Sequence, residues 1–454
     1  MTDYNLLDEK WIPVLYHDGT VDRVGVLGAL EDASRIRQIA ASNPMDRVAI
    51  LRFLLALLYW CKGNPSTPPD SSLSPQWFSK LNDNRDCFNL LGDGKRFYQD
   101  RAAKRARAIT DLIQEIPAGN NFWHFRHSTD KQDGLCRACC AMGLLRLPLF
   151  SVSGLSGPGQ PNVMAGINGP PPIYAVPWED SLLQTLQANW VKREDLGEPA
   201  WAQRDAGQIS KEVIPLLMGL TLASRRVLLH EPSEEPGVCI ACGAGNTAVI
   251  RTCEFQTAGK QESDLWDDPH VLYLDAKPRK ALKATDLTTV HFRMDRPWPA
   301  LLVRLGTEAK STRLLVVGFA TNKAKNVDVW ERVVRVPSGG SVPDTVLSSI
   351  KEWQEEGRRI EKRMGRSKKQ GTAAIAVIRP HVESRVSANM CELLTGGEGV
   401  WQEAAAEYRP MMNVIAKSLS PGFTTAALKR RREIASTLPD MRPRGKETRK
   451  EGGK

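Results

Sequence analysis

No stretch of this chain is apolar for long enough to cross a bilayer. The longest uninterrupted run, Phe53 to Cys61, is closed off by Arg52 and Lys62, far short of the ~20 residues a spanning helix needs. A helical membrane-spanning protein is therefore excluded. The opening Met1-Thr2-Asp3-Tyr4 has no basic region followed by an apolar one, so no secretory signal is predicted and a cytoplasmic address is the default expectation. Catalytic templates are missing as well: there is no G-x-x-x-x-G-K-[ST] phosphate loop, no H-E-x-x-H helix and no G-x-S-x-G elbow. The seven histidines, His17, His124, His127, His230, His270, His291 and His381, are scattered and outline no nuclease constellation. The expectation is a protein without enzymatic activity of its own.

At about 150 residues per domain, 454 residues predict two or three domains, and 41% apolar with 25% charged residues is the balance of a soluble, core-forming chain. Nine cysteines in a cytoplasmic setting are expected to be thiols or metal ligands, not disulfides. The 62 basic residues outnumber 52 acidic ones, giving +10, which makes polyanions the favoured class of partner. From Ala427 to Lys454 ten Lys/Arg stand against four Asp/Glu, so this segment carries +6 of that charge. Lys95 to Arg107 holds six further basic residues and Arg358 to Lys369 seven. One such cluster reads equally well as a solvated helix face; three in one chain favour nucleic acid.

Tyr4 to Val14 predicts a short strand ended by a proline, and a turn at Asp18-Gly19 leads to a second, Val21 to Val26. Asn43-Pro44 opens a helix from Met45 to Cys61 that is apolar on nearly all faces and belongs to the core. Gln76 to Leu81 resumes helix. Between Gly119 and Pro177 the pattern is loop, rich in Gly, Pro and His, interrupted by a helical stretch from Cys139 to Leu147. Strands are predicted at Val271–Leu274, Thr288–Met294, Leu301–Leu305, Arg313–Phe319 and Val327–Val336, with Ala320 to Asn326 as a polar tip. Beyond Pro343, Val346–Arg363, Ala374–Leu394, Val400–Ser418 and Thr424–Ser436 read as four successive helices with short joints, the pattern of an up-down bundle. The fold class expected is α+β: a mixed α/β N-terminal domain over residues 1–340, a C-terminal four-helix bundle over 341–438, and a basic, disordered tail over 439–454.

Two cysteine knuckles carry the most specific signal: Cys136-Arg137-Ala138-Cys139 and Cys239-Ile240-Ala241-Cys242-Gly243. A C-x-x-C turn puts two thiolates on one side of an ion, and two such turns complete a tetrahedral zinc shell with no open position. The expected cofactor is a structural Zn2+ that ties together segments 99 residues apart. Cys140 is a substitute ligand, His124-x-x-His127 a rival pair, and a set of unrelated buried thiols the plain alternative. The loop Ser153 to Asn162, in which Gly154, Gly157 and Gly159 recur, lets backbone approach a minor groove closely. Asn120-Asn121-Phe122-Trp123-His124-Phe125-Arg126-His127 mixes aromatics, amides and a cation, a blend suited to stacking and base-edge contact.

Several stretches together resemble one family, the large subunit (CasA) of the type I-E CRISPR Cascade complex. The carriers are Asn5-Leu6-Leu7-Asp8-Glu9-Lys10-Trp11-Ile12-Pro13-Val14, Arg96-Phe97-Tyr98-Gln99, Phe125-Arg126-His127, the two knuckles, Trp266-Asp267-Asp268-Pro269-His270 and Val317-Gly318-Phe319-Ala320-Thr321-Asn322-Lys323-Ala324. The resemblance implies a subunit of an RNA-guided effector that recognises the short motif (PAM) beside a double-stranded DNA target, promotes duplex opening and R-loop formation, and helps recruit a helicase-nuclease. Base pairing to the guide would read the sequence and protein the motif. Its partners would be other Cascade subunits, crRNA, target DNA and the helicase-nuclease.

By position, Phe125 and His127 resemble the family's motif-sensing loop, and Ser156, Gly157 and Gly159 its minor-groove glycine loop, here interrupted by Pro158 and Pro161. Lys260 resembles its minor-groove lysine. Asn322, Lys323 and Ala324 resemble the tip of its strand-separating hairpin, with Lys323 where the family commonly has glutamine. The rival readings are a zinc-ribbon nuclease and an RNA-binding structural protein.

Overall fold

A tight hairpin begins the fold. The computed structural model describes residues 4–63, 66–70, 75–113, 134–151, 172–202, 214–223, 225–257, 266–271, 273–275, 280–281, 301, 304–305, 312–322 and 325–336. In it, β1 (Ile12–Tyr16) and β2 (Val21–Val24) turn about Gly19 at φ +88, with Ile12 opposite Val24 and Leu15 opposite Val21. A short helix α1 (Val26–Glu31) leads to β3 (Ile36–Ile39) on the other edge of β1. Then follow α2 (Pro44–Lys62), α3 (Pro75–Asp83), β4 (Ala106–Ala108), β5 (Leu135–Cys136), α4 (Arg137–Phe150), β6 (Tyr174–Pro177), α5 (Leu182–Ala188) and α6 (Leu216–Thr221). The remaining elements are β7 (Arg225–Leu229), β8 (Val249–Ile250), β9 (Thr252–Thr257), β10 (Tyr273–Asp275), β11 (Lys280–Ala281), β12 (Thr312–Asn322) and β13 (Lys325–Val336). Three sheets have the orders β2-β1-β3, β4-β9-β7 and β13-β12-β6; β5-β8 and β10-β11 are two-stranded. No helix among the described residues is long and apolar enough to cross a membrane.

The chain divides into two compact units, Met1–Glu331 with Val336–Thr345, and Arg332–Arg335 with Val346–Lys454. The mixed α/β content expected of the N-terminal region is present. The four expected helices, the basic tail and the strand expected at Thr288–Met294 lie outside the described residues. Two expectations are corrected. Leu301, Arg304 and Leu305 are helical, not strand, because the apolar run Leu301-Leu302-Val303 is too short for its periodicity to separate the two. The loop expected to reach Pro177 ends earlier, since Tyr174–Pro177 is the strand β6, paired antiparallel with β12 from Leu314↔Pro177 to Val317↔Tyr174.

Helix α2 shows its sequence logic at both ends. The Asn43 side chain accepts from the Met45 N–H at 2.9 Å, Pro44 occupies the first turn where an N–H has no helical partner, and Gly63 closes the helix at φ +66. Between these caps 15 of 19 residues are buried, so the helix keeps almost no solvent face. It packs against α3, α4, α5, α6 and β12. Phe53 meets Phe97 and Trp201 edge-on, with ring centroids 5.4 and 5.3 Å away.

Two charges sit inside that buried helix, and each is answered from far along the chain. Arg146 of α4 forks onto Asp46, with Nη2–Oδ2 at 2.9 Å. Arg52 forks onto Asp268, at 2.7 and 2.9 Å, and also donates to His270 Nδ1 at 2.9 Å. Asp268 further accepts from Trp266 Nε1 at 3.2 Å and from the His270 N–H at 2.9 Å. Burial alone would raise the Asp268 carboxyl, but the Arg52 guanidinium outweighs it and holds the group below its ordinary value. Burial, reinforced by Arg52, pushes His270 down to about 3, so the ring is neutral.

Arg146→Ala should strand the Asp46 charge and cost about 3–5 kcal/mol of stability, whereas Arg146→Met with Asp46→Leu should recover most of the loss. Guanidinium unfolding of both variants checks this. A second expectation concerns acid. His270 titrates near 3 in the fold and near ~6.5 when unfolded, so between those values the unfolded chain binds more protons. Stability should then fall as pH drops through that window, by up to about 1.4 kcal/mol per pH unit from this group, with Asp268 adding in the same direction at the acid end. Denaturant midpoints measured from pH 7 to pH 4 should flatten in His270→Gln; an unchanged slope would contradict the assignment.

Candidate functional site

The first knuckle is built by a strand that runs straight into a helix. β5 pairs with β8, Leu135 opposite Ile250 and Cys136 opposite Val249, and Cys136 then forms the N-cap of α4. Cys139 follows in the first turn, on the side of the helix that Cys136 caps. The second knuckle is a backbone turn: the Cys239 N–H donates to Ala244 O at 2.8 Å, and the Gly243 N–H to Cys239 O at 2.8 Å. Gly243 has φ +74, a conformation glycine adopts without steric cost. The two knuckles touch through a parallel bridge between Gly134 and Cys239, where the Ile240 N–H donates to Gly134 O at 3.0 Å. A Cβ on Gly134 would lie 2.8 Å from Val249 Cβ and 2.9 Å from Ile250 O, so this approach needs glycine.

Cys136, Cys139, Cys239 and Cys242 bring their sulfurs within 4.8 Å of one another. The Cys136–Cys242 separation is 3.8 Å, which matches the S···S edge of about 3.8 Å in a tetrahedron with Zn–S bonds of about 2.3 Å. All four donors are soft sulfurs, and among the described residues no histidine or carboxylate joins the group. The charge state fits a cation as well. Hydrogen bonds from Cys136 and Cys139 pull Cys239 far below the ordinary thiol range. At Cys136 the hydrogen bond with Cys139 favours the thiolate, but the one to Cys239 and burial oppose it and push the group up to about 12. Cys139 is pushed up by its hydrogen bonds to the other two. Cys239 is thus favoured as a thiolate over Cys136 and Cys139, and a divalent ion bound here would favour the thiolate form of its ligands.

Cys140, a substitute ligand on sequence grounds, is fully buried and points its sulfur at Leu135 O, 3.8 Å away. Burial pushes the thiols of Cys140, Cys61 and Cys253 up, Cys61 to about 12. Cys140 and Cys253 are core side chains, and Cys61 packs against the core half-buried.

Of the residues assigned to nucleic acid, Phe125, His127, Ser156, Gly157, Gly159, Lys260, Lys323 and Ala324 lie outside the described residues, as does the rival pair at His124 and His127. Asn322 is the last residue of β12, and β13 begins at Lys325. Cations of the basic cluster Lys95 to Arg107 also make contacts within the fold. Lys95 donates to Ala202 O at 2.9 Å, Arg96 to Gly92 O, Leu229 O and Glu231 at 2.5, 2.9 and 3.0 Å, Arg101 to the Asp93 and Gly94 carbonyls, and Arg107 to Asp111 at 2.6 Å. At least four of its six cations are therefore hydrogen-bonded within the fold. Sequence reasoning missed the Arg52–Asp268–His270 cluster; a lone arginine inside an apolar helix was the available signal, because such a charge must find a partner.

If the four sulfurs hold one ion, Cys136→Ser or Cys242→Ser should remove most bound metal from purified protein, and Cys140→Ser, Cys87→Ser or Cys61→Ser should leave it unchanged. Elemental analysis reads the outcome, and a folded wild-type sample without metal would overturn the assignment.

The model of one family, described as CRISPR-associated protein Cse1, matches residues 5–433. CRISPR-associated protein CasA/Cse1 of Thermus thermophilus is 30% identical over 204 residues, a stretch covering 41% of this chain and only 39% of that relative. Among solved structures, Thermobifida fusca Cse1 superposes with a TM-score of 0.60 at 18% identity, covering 96% of this chain and 98% of that one. A chain of a CRISPR RNA-guided surveillance complex gives 0.59 at 15% identity, with 96% and 99% covered. These likenesses extend the shared fold over nearly the whole sequence. Together with the family match across residues 5–433, they close the question of kinship: this chain belongs to the CRISPR-associated Cse1 family.

Proposed function

We propose that this chain is the large subunit of a type I-E Cascade effector, which recognises the PAM of double-stranded target DNA, helps open the duplex for guide pairing, and helps recruit a helicase-nuclease. Its other partners are the remaining Cascade subunits and crRNA, and its place is the cytoplasm. The observation that carries this reading is the hairpin β12–β13. These are the longest strands among the described residues, 11 and 12 residues, and they end and begin at Asn322 and Lys325. Of the residues the family resemblance assigns to the wedge, Asn322 ends the first of these paired strands, and Lys323 and Ala324 fall between the two in sequence. One of those strands is anchored at its base on β6.

The four cysteines would hold a structural Zn2+, which supplies no chemistry beyond cross-linking. With four protein donors the shell has no open position for substrate or water, so the ion is not catalytic, and the chain acts by binding alone. In the task proposed for the tip, unstacking the first base pair costs a few kcal/mol, while strand exchange along the target is nearly balanced. A small local contribution at the start therefore decides the rate. Phe125, His127, Ser156, Gly157, Gly159 and Lys260 would read the motif, and Lys323 would add charge attraction to a phosphate.

Asn322→Ala with Lys323→Ala should leave motif-dependent duplex binding nearly intact while slowing R-loop formation on a paired target. A pre-melted bubble beside the motif should restore the rate, because it supplies the opening the wedge no longer makes. Permanganate reactivity on both targets measures this, and equal defects on the two would remove the wedge assignment. DNA cleavage by the isolated chain would overturn the non-enzymatic reading.

A further inference from the structure

Arg52 stands at a junction of chain segments that are remote in sequence. Residues 152–171, 258–265 and 323–324 contain most of the positions proposed above to touch DNA, and three described stretches next to them in sequence, β6, Trp266–Val271 and, through β6, β12, are linked to this arginine. After residue 265 the chain continues with Trp266, packed so closely on Gly219 that a Cβ there would lie 2.3 Å from the indole. Trp266 Nε1 donates to Asp268 at 3.2 Å, and Asp268 is forked by Arg52 at 2.7 and 2.9 Å.

Beyond residue 171 the chain enters β6. Its Tyr174 bridges Val271 and lies under the Arg52 guanidinium, 5.3 Å from the ring centroid, and the Ala175 N–H donates to His270 O at 2.8 Å. On the far side of β6 runs β12, Val317 opposite Tyr174, the strand that ends at Asn322. Phe150 ties this corner to α4, its ring centroid 5.2 Å from Tyr174 and 6.3 Å from Phe319. Side chains 52, 268 and 270 are all within the core, and among the described residues His270 Nε2 has no hydrogen-bond partner. Rearranging the cluster would strand a buried charge, so it has one low-energy arrangement.

We propose that Arg52 is a positioning residue: through Asp268 and His270 it sets, from one buried point, where β6, Trp266–Val271 and β12 lie, and thereby aligns the DNA-facing stretches attached to them. This role rests on the function proposed above, but its mechanical half is testable without DNA. The variant is Arg52→Met with Asp268→Leu in the full-length chain, which removes both charges while keeping volume in the core. Hydrogen exchange should quicken about tenfold or more in peptides covering 172–180, 266–275 and 312–322, with the β1–β3 sheet and the metal content unchanged. Faster exchange confined to 266–271, or spread evenly over the unit, would overturn the coupling.

In a complex reconstituted with guide RNA, the same variant should form R-loops about tenfold more slowly. A bubble should rescue it only in part, because the motif-reading stretches are displaced along with the wedge. A wild-type complex that forms no R-loop defeats the functional reading and leaves the exchange result standing. A wild-type rate in the variant, beside an active wild type, defeats the positioning role alone. If the double variant does not fold, Arg52→Lys decides: it keeps the charge but loses the fork onto Asp268. It should show the same three-peptide pattern at smaller amplitude; wild-type exchange in all three would contradict the proposal.

Discussion

Helix α2 carries two charges into a core that has no water to solvate them, and the arrangement of the first unit follows from answering them. An apolar helix buried on every face packs almost equally well in several rotations and registers. Asp46 and Arg52 remove that freedom, because only one placement delivers Arg146 to the first and Asp268 to the second. Such pairs add little net stability over well-packed hydrophobic residues, yet breaking one is costly. In this fold they act as register pins. Arg146 places α4, and with it the first cysteine knuckle; Asp268 places the Trp266–Val271 segment, and with it β6 and β12.

The cysteine cluster completes the far end of α4 by a different route. Gly134 and Gly243 allow two backbone turns to meet at a distance side chains would forbid, and the sulfurs converge as a result. An ion there would join Gly134, where the chain returns after residues 114–133, to β8 and α4. That would make the metal a local scaffold for these elements, as the arginine cluster is for β6, Trp266–Val271 and β12.

Parts of this were legible in the sequence because the signal was local. Asn43-Pro44 marks the observed start of α2, Asp18-Gly19 marks the first hairpin, and the two C-x-x-C spacings name the four sulfurs that come together. What was illegible is non-local. Tyr174–Pro177 looked like the end of a loop because its four residues become a strand only when β12 pairs with them, with partners 137 residues apart at Leu314↔Pro177 and 143 apart at Val317↔Tyr174. Composition also cannot tell that, in the basic run from Lys95 to Arg107, cations hydrogen-bond to carbonyls of the fold. Arg52 was visible only as the boundary of an apolar run; its partner lies 216 residues away.

The central claim, that a frame pinned around α2 presents this chain's own segments to open target DNA, is tested most directly by omission and return. Guide-containing complex would be assembled without this chain, R-loop formation followed on a motif-bearing duplex and on one with the motif scrambled, and the purified chain then added. The account predicts negligible opening without the chain, and restored opening with it only on the duplex that carries the motif. Opening at the full rate in its absence, or equal opening of both duplexes in its presence, would contradict it.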